Sequence, residues 1–301
     1  MASAARSGAA AALMVAVAVL ALAAGGSAQL QQGFYKGKCN GTDVEAVVQG
    51  IVKVKSWFSR EPPVIAYLLR MQFHECVINI RLRRRFADRP GTEKTAAPNL
   101  SVKGYEVIAA IKAELERRCP GVVSCSDIQI LATRDAVALG GGAAYSVRTG
   151  RRDRRRSLAS DVKLPSPDYT AAQTTAYYRR LGLSAFNTVL LLDAHTVGAT
   201  RCAAIKSSRL YAYGGRPGAT DPGLDPAYAF VYKTNLQLRR GVLPCDQNLY
   251  NDGSTRWIVD LLANNAGLFT SLFPQALVKL SEVNVLTGIQ GEIRKVCNRF
   301  N

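Results

Sequence analysis

Eight stretches of this chain space their apolar residues as a helix does, and almost none alternates as a strand does. They are residues 44–59, 64–77, 107–118, 126–138, 171–181, 188–202, 257–264 and 269–280. Pro62-Pro63 precedes the second of them, as prolines often precede a helix. Glycine and proline clusters at 140–142, 164–167 and 214–226 punctuate the rest. Only Tyr145–Val147 offers a strand-like pattern. The chain has 301 residues, 48% of them hydrophobic, enough for a sizeable buried core. The expectation is an all-α domain of about ten helices, in two lobes around a cavity.

Residues 1–28 stand apart from that pattern. They hold one basic residue (Arg6), an unbroken apolar run at 11–24 and the small-residue site Gly26-Ser27-Ala28. Fourteen apolar residues are too few to cross a bilayer comfortably, so 1–28 reads as a secretory signal peptide and 29–301 as the mature domain. No later apolar run is long enough to span, which predicts a secreted chain with no membrane partner. Export sets the reading of Cys39, Cys76, Cys119, Cys125, Cys202, Cys245 and Cys297 as disulfide cysteines before metal ligands, and no Cys-x-x-Cys pair argues otherwise. Seven is odd, so at least one thiol is left over. Asn40-Gly41-Thr42 is an N-glycosylation acceptor.

The net charge of +17 draws such a surface to polyanions. Acidic cell-wall polysaccharide suits an exported chain better than nucleic acid does. The basic runs 81–85 and 151–156 lack the interleaved aromatics of a base-stacking platform. A solvated face that aids solubility is the plainer alternative.

The chain has two histidines. In Leu69-Arg70-Met71-Gln72-Phe73-His74-Glu75-Cys76, Arg70 and His74 are four apart and share a helix face. A fixed cation beside a proton acceptor is useful where an anion develops while a proton moves. His195, in Asp193-Ala194-His195-Thr196-Val197-Gly198, falls late in an apolar helical stretch, as a buried metal or cofactor ligand can.

These strings resemble the two signatures of the secretory plant (class III) haem peroxidases. Further resemblances run in order along almost the whole mature chain: Gly33-Phe34-Tyr35, Thr92-Glu93-Lys94, Pro98-Asn99, Cys119 through Ile128, Ala132 through Val137, Gly150-Arg151-Arg152-Asp153, Arg209-Leu210-Tyr211, Asp246-Gln247-Asn248-Leu249-Tyr250, and Leu286 through Cys297. The resemblance implies a two-lobed haem peroxidase fold with haem b between a distal and a proximal helix. It makes His195 the axial ligand of the haem iron and Asp246 the acceptor of its second ring proton. His74 becomes the acid–base, Arg70 the stabiliser of the growing negative charge, and Asn99, backed by Glu93, the group that orients His74. Phe73 screens the haem and Pro165 borders the edge where phenolic donors bind. Cys39–Cys119 and Cys125–Cys297 are the family bridges this chain retains.

Two segments depart from that pattern. Where the family closes a short disulfide and wraps a calcium ion after its distal signature, this chain has Arg81 for the partner cysteine, and Leu82 and Arg84 for calcium ligands. Glu75 keeps a carboxylate there, but cationic neighbours are expected to abolish a site needing six to eight oxygens. After Ala229 a long family stretch is missing, with the partner of Cys202 and part of a second calcium site, leaving Thr196 as one ligand without assignable carboxylates. Cys245 stands where the family usually has serine, and pairing with Cys202 is an open alternative.

Two functions follow. One is a monomeric, extracellular or cell-wall peroxidase using hydrogen peroxide on small phenolic donors, with haem b and, by family expectation, calcium. The other is a catalytically impaired wall-binding protein of peroxidase ancestry. The presence of Arg70, His74, Asn99, His195 and Asp246 favours the first, and the altered calcium and disulfide segments favour the second.

Overall fold

A computed structural model describes residues 30–58, 64–77, 91–198, 206–222 and 243–301. The signal-peptide assignment, the basic run 81–85 and Cys202 lie outside them. Nine α-helices occur among the described residues: α1 (Val44–Phe58), α2 (Val64–Val77), α3 (Tyr105–Arg118), α4 (Cys125–Leu139), α5 (Ala171–Arg180), α6 (Ala185–Leu192), α7 (Pro244–Asn251), α8 (Gly253–Ala263) and α9 (Ala266–Ser281). Helices α1–α4 pack mainly on one another, as do α5–α9, and α9 against α2 joins the two groups. This is the expected all-α, two-lobed arrangement.

Local chemistry sets the helix starts. Ser124 caps α4 by accepting from Asp127 N, Ser184 caps α6 through Asn187 N, and Thr170 and Gln173 form a reciprocal capping box on α5. Gly104 opens α3 with φ 96°, and any added Cβ would lie 3.2 Å from the Tyr67 Cβ, so glycine alone lets α3 begin this close to α2. The apolar stripes of α1–α4 meet through Val48, Val52, Leu68, Ile111, Leu115, Ile128 and Leu131, all almost fully buried.

Two corrections concern secondary structure. The helix expected over 188–202 ends at Leu192 and continues only as a 3₁₀ turn, Asp193–Thr196. Val197, β-branched and extended, and then Gly198, at φ 98°, end it, because extended and left-handed backbone cannot propagate a helix. Tyr145–Val147 forms no strand; the neighbouring Thr149 instead makes one isolated antiparallel bridge with Gln31. Helix α7, absent from the sequence expectation, starts with Pro244 in its first turn and carries Asp246 there, both favourable at a helix N-terminus.

The run 151–156 supplies internal struts. Arg151 is buried and pairs with fully buried Asp127 at 2.9 Å, while its Nη2 donates to Ser281 O and Oγ. Asp127 also accepts from the Tyr35 hydroxyl and from the backbone N–H of Gly150 and Arg151. Asp153 accepts from the N–H groups of Cys125 and Ser126, at the start of α4, and of Arg294 near the C-terminus. Arg156 pairs with Asp161. These arginines are drawn into internal ion pairs and hydrogen bonds. The retained bridges, Cys39–Cys119 and Cys125–Cys297, close sequence separations of 80 and 172 residues. Each stabilises by about 2–5 kcal/mol. Cys76 and Cys245 are buried free thiols, and the alternative of a Cys202–Cys245 bridge involves a residue outside the described ones.

Candidate active site

Helix α2 carries the first histidine on a face defined by four-residue steps: Ala66, Arg70, His74. His74 is only 7% exposed, and its Nδ1 lies 2.6 Å from Asn99 Oδ1. That oxygen can only accept, because the Asn99 amide nitrogen is occupied in donating to the Glu93 carbonyl at 2.7 Å. The proton therefore sits on Nδ1 and the lone pair on Nε2, which accepts from Arg70 Nε at 3.2 Å. Burial drives the His74 pKa down to about 4, with Arg70 adding to the drop and Asn99 opposing it. At neutral pH the imidazole is uncharged and able to take a proton.

The loop that fixes His74 also fixes Arg70. The guanidinium donates to the Pro98 carbonyl at 3.1 Å and to Ser101 Oγ at 3.0 Å, on either side of Asn99. Ser101 gave no signal in the sequence beyond its place two residues after Asn99. The support from Glu93 comes through its backbone carbonyl. Burial and the Glu75 carboxylate push the Glu93 side chain up to about 8, so it holds a proton at neutral pH.

The second histidine sits on the turn after α6. His195 Nδ1 lies 2.9 Å from Asp246 Oδ1, in the first turn of α7. A carboxylate oxygen only accepts, so this ring too is protonated on Nδ1. Its Nε2 makes no hydrogen bond among the described residues, and the side chain is 44% exposed. An imidazole with a carboxylate on one nitrogen and an open lone pair on the other has the donor chemistry of a metal ligand, so His195 and Asp246 fit haem ligation. Burial and Asp246 push the Asp193 carboxyl up to about 6, with His195 opposing.

Two contacts bring these elements together. Gly198, three residues past His195, comes so close to α2 that an added Cβ would lie 3.0 Å from the Ala66 Cβ. The His195 turn thus ends against the α2 face that bears Arg70 and His74 one and two turns further on. Phe73 packs edge-on to His74 and lies 6.3 Å, centroid to centroid, from Tyr178 of α5. Tyr178 is buried, and Cys245 and Asp246 of α7 help raise its pKa after burial itself. Nothing in the sequence marked Tyr178, which reads as an ordinary apolar helix position.

The family model described as Peroxidase matches residues 52–265, a span that contains both histidines and Asp246. Peroxidase 57 of Arabidopsis thaliana is 41% identical over 298 residues, covering 91% of this chain and 93% of the relative. Peroxidase 44 of the same plant is 38% identical over 301 residues (93% and 96%), and Peroxidase 66 of Zea mays 34% over 308 residues (95% of each). The chain belongs to the peroxidase family.

Other expected site residues of this peroxidase chain fall as follows. Pro165 is half-buried in the segment before α5, and that segment is tied to α7 by the Cys245 N–H donating to Pro167 O at 2.8 Å. Asn40 is exposed, with φ 48°, and its amide nitrogen donates to the Arg118 carbonyl. Glu75 is half-buried in the last turn of α2. Among the described residues, one group of His, Cys, Asp and Glu side chains gathers closely enough to hold a metal ion: His195, Cys245 and Asp246. No such group forms around Glu75 among the described residues, and the segment that follows it, 78–90, lies outside them. No helix among them is long and apolar enough to cross a membrane.

Proposed function

We propose that the protein is a secreted, monomeric haem peroxidase that converts hydrogen peroxide to two waters while two phenolic donors each lose one electron and one proton. The observation that carries this reading is the matched pair of imidazoles. Each is held at Nδ1 with its lone pair on Nε2: one is buried with that lone pair turned to the Arg70 guanidinium, which peroxide would displace, and the other is backed by a carboxylate. Haem b, when bound, supplies the iron at which the O–O bond is cleaved and through which the donor's electrons pass.

His195 would hold the iron through Nε2, and Asp246 pulls on the opposite ring proton, making the imidazole a stronger electron donor. His74 Nε2 takes the proton from one peroxide oxygen and returns it to the other, the one that leaves as water. The Asn99 carbonyl keeps Nδ1 protonated throughout, so the ring cannot present the wrong tautomer. Arg70, anchored on Pro98 and Ser101, places its charge beside Nε2 where negative charge grows on the departing oxygen. Phe73 narrows the His74 side, and the Pro165 segment offers phenols an approach from the rim. Acidic cell-wall polysaccharide is a partner on charge alone, given the net +17. Calcium belongs to the family expectation. The segments behind the impaired, wall-binding reading, 78–90 and 223–242, lie outside the described residues, and nothing in the structure favours that reading.

The test is peroxide-dependent oxidation of guaiacol by the haem-loaded protein, with the rate of reaction with peroxide followed against pH. That rate stays level from neutral pH downward and falls as pH drops through about 4, where His74 gains a proton. A haem-loaded protein that leaves guaiacol untouched refutes the reading. An acid limb at the ordinary imidazole value refutes the assignment of His74 as the base.

A further inference from the structure

Asp246 Oδ1 serves two donors. The Nδ1–H of His195 lies 2.9 Å away and the thiol of Cys245 3.6 Å away, within reach of a sulfur hydrogen bond. The polar atoms of the three side chains all fall within 4.8 Å of one another. Cys245 is 6% exposed, and its backbone N–H is held by Pro167 O at 2.8 Å, so the residue is fixed on both sides. Burial, and after it the Asp246 carboxylate, keeps this thiol protonated, so it is the donor in this contact.

We propose that Cys245 is a positioning residue for the peroxidase reaction: its thiol shares the carboxylate oxygen that holds His195, and so limits how strongly Asp246 pulls on the imidazole proton. The inference rests on His195 being the iron ligand. A second donor on one carboxylate oxygen draws density from the lone pairs that the first donor uses. With the thiol present, the imidazole is less anionic and stabilises ferric iron less. Without it, the Asp246–His195 bond tightens and the reduced state becomes harder to reach.

Two measurements on wild type, Cys245→Ala and Cys245→Ser test this. In the haem-loaded protein, Cys245→Ala shifts the ferric–ferrous equilibrium toward ferric by threefold to tenfold, tenfold being about 59 mV for one electron. Cys245→Ser keeps a donor and stays at or above the wild-type potential. A thiol that merely fills space would change melting temperature in both variants and leave the potentials equal, which overturns the proposal. The second readout is the infrared S–H stretch of Cys245, identified by its loss in Cys245→Ala. It moves to higher frequency in Asp246→Asn, where the acceptor loses its charge, and a band that does not move overturns the hydrogen bond itself. The band can be read on haem-free protein. A chain that takes up no haem sinks the peroxidase reading, and the positioning role with it, even if the band shifts.

Discussion

Replacing His74 with alanine lowers kcat/KM for hydrogen peroxide by about 10²–10⁴-fold, the usual worth of a positioned acid–base group. The size follows from what the described neighbours of His74 cannot do. Arg70 stays on the Pro98–Ser101 loop and carries a permanent charge, so it can stabilise an anion but cannot accept a proton. Asn99 is a neutral amide already donating to Glu93. The imidazole itself is ready to accept, because burial holds its pKa at about 4 and leaves it almost wholly neutral at pH 7. Steady-state kinetics at fixed donor and varied peroxide measure the effect. A loss smaller than about tenfold, with haem content unchanged, would show that another group moves the proton.

The second large effect falls on stability. Arg151→Ala leaves Asp127, fully buried, without its ion-pair partner, and leaves Ser281 O and Oγ without the guanidinium they receive. Removing one member of a buried pair costs about 3–5 kcal/mol, because the remaining charge cannot return to water. Typical net stability is roughly 5–15 kcal/mol, so this single change takes a large share of it. Arg151→Lys recovers little, since an ammonium cannot reproduce the fork that spans Asp127 and Ser281. Urea unfolding of the purified variants measures this, and a cost below about 1 kcal/mol would show that the node is better solvated than its burial implies.

Much of the scaffold was legible in the sequence. The boundaries of α2 fall where the prolines and the apolar spacing put them, because both signals are local. Arg70 and His74 shared a face for the same reason: four residues are one helical turn wherever the helix sits. The His195 helix was overextended, since apolar spacing continues past Leu192 while the backbone is decided by the extended Val197 and the left-handed Gly198. The run 151–156 looked like a surface patch because charge alone does not tell an exposed arginine from one folded onto Asp127. Ser101 and Tyr178 were invisible, as their roles come from loops and helices that meet only in three dimensions.

A haem titration followed by absorption, on wild type, His74→Ala and His195→Ala, tests the assignment of roles most directly. Wild type and His74→Ala should each take up one haem with the same Soret band, while His195→Ala should lose stoichiometric binding. Retention of the wild-type spectrum in His195→Ala, or its loss in His74→Ala, would contradict the division of work between the two imidazoles.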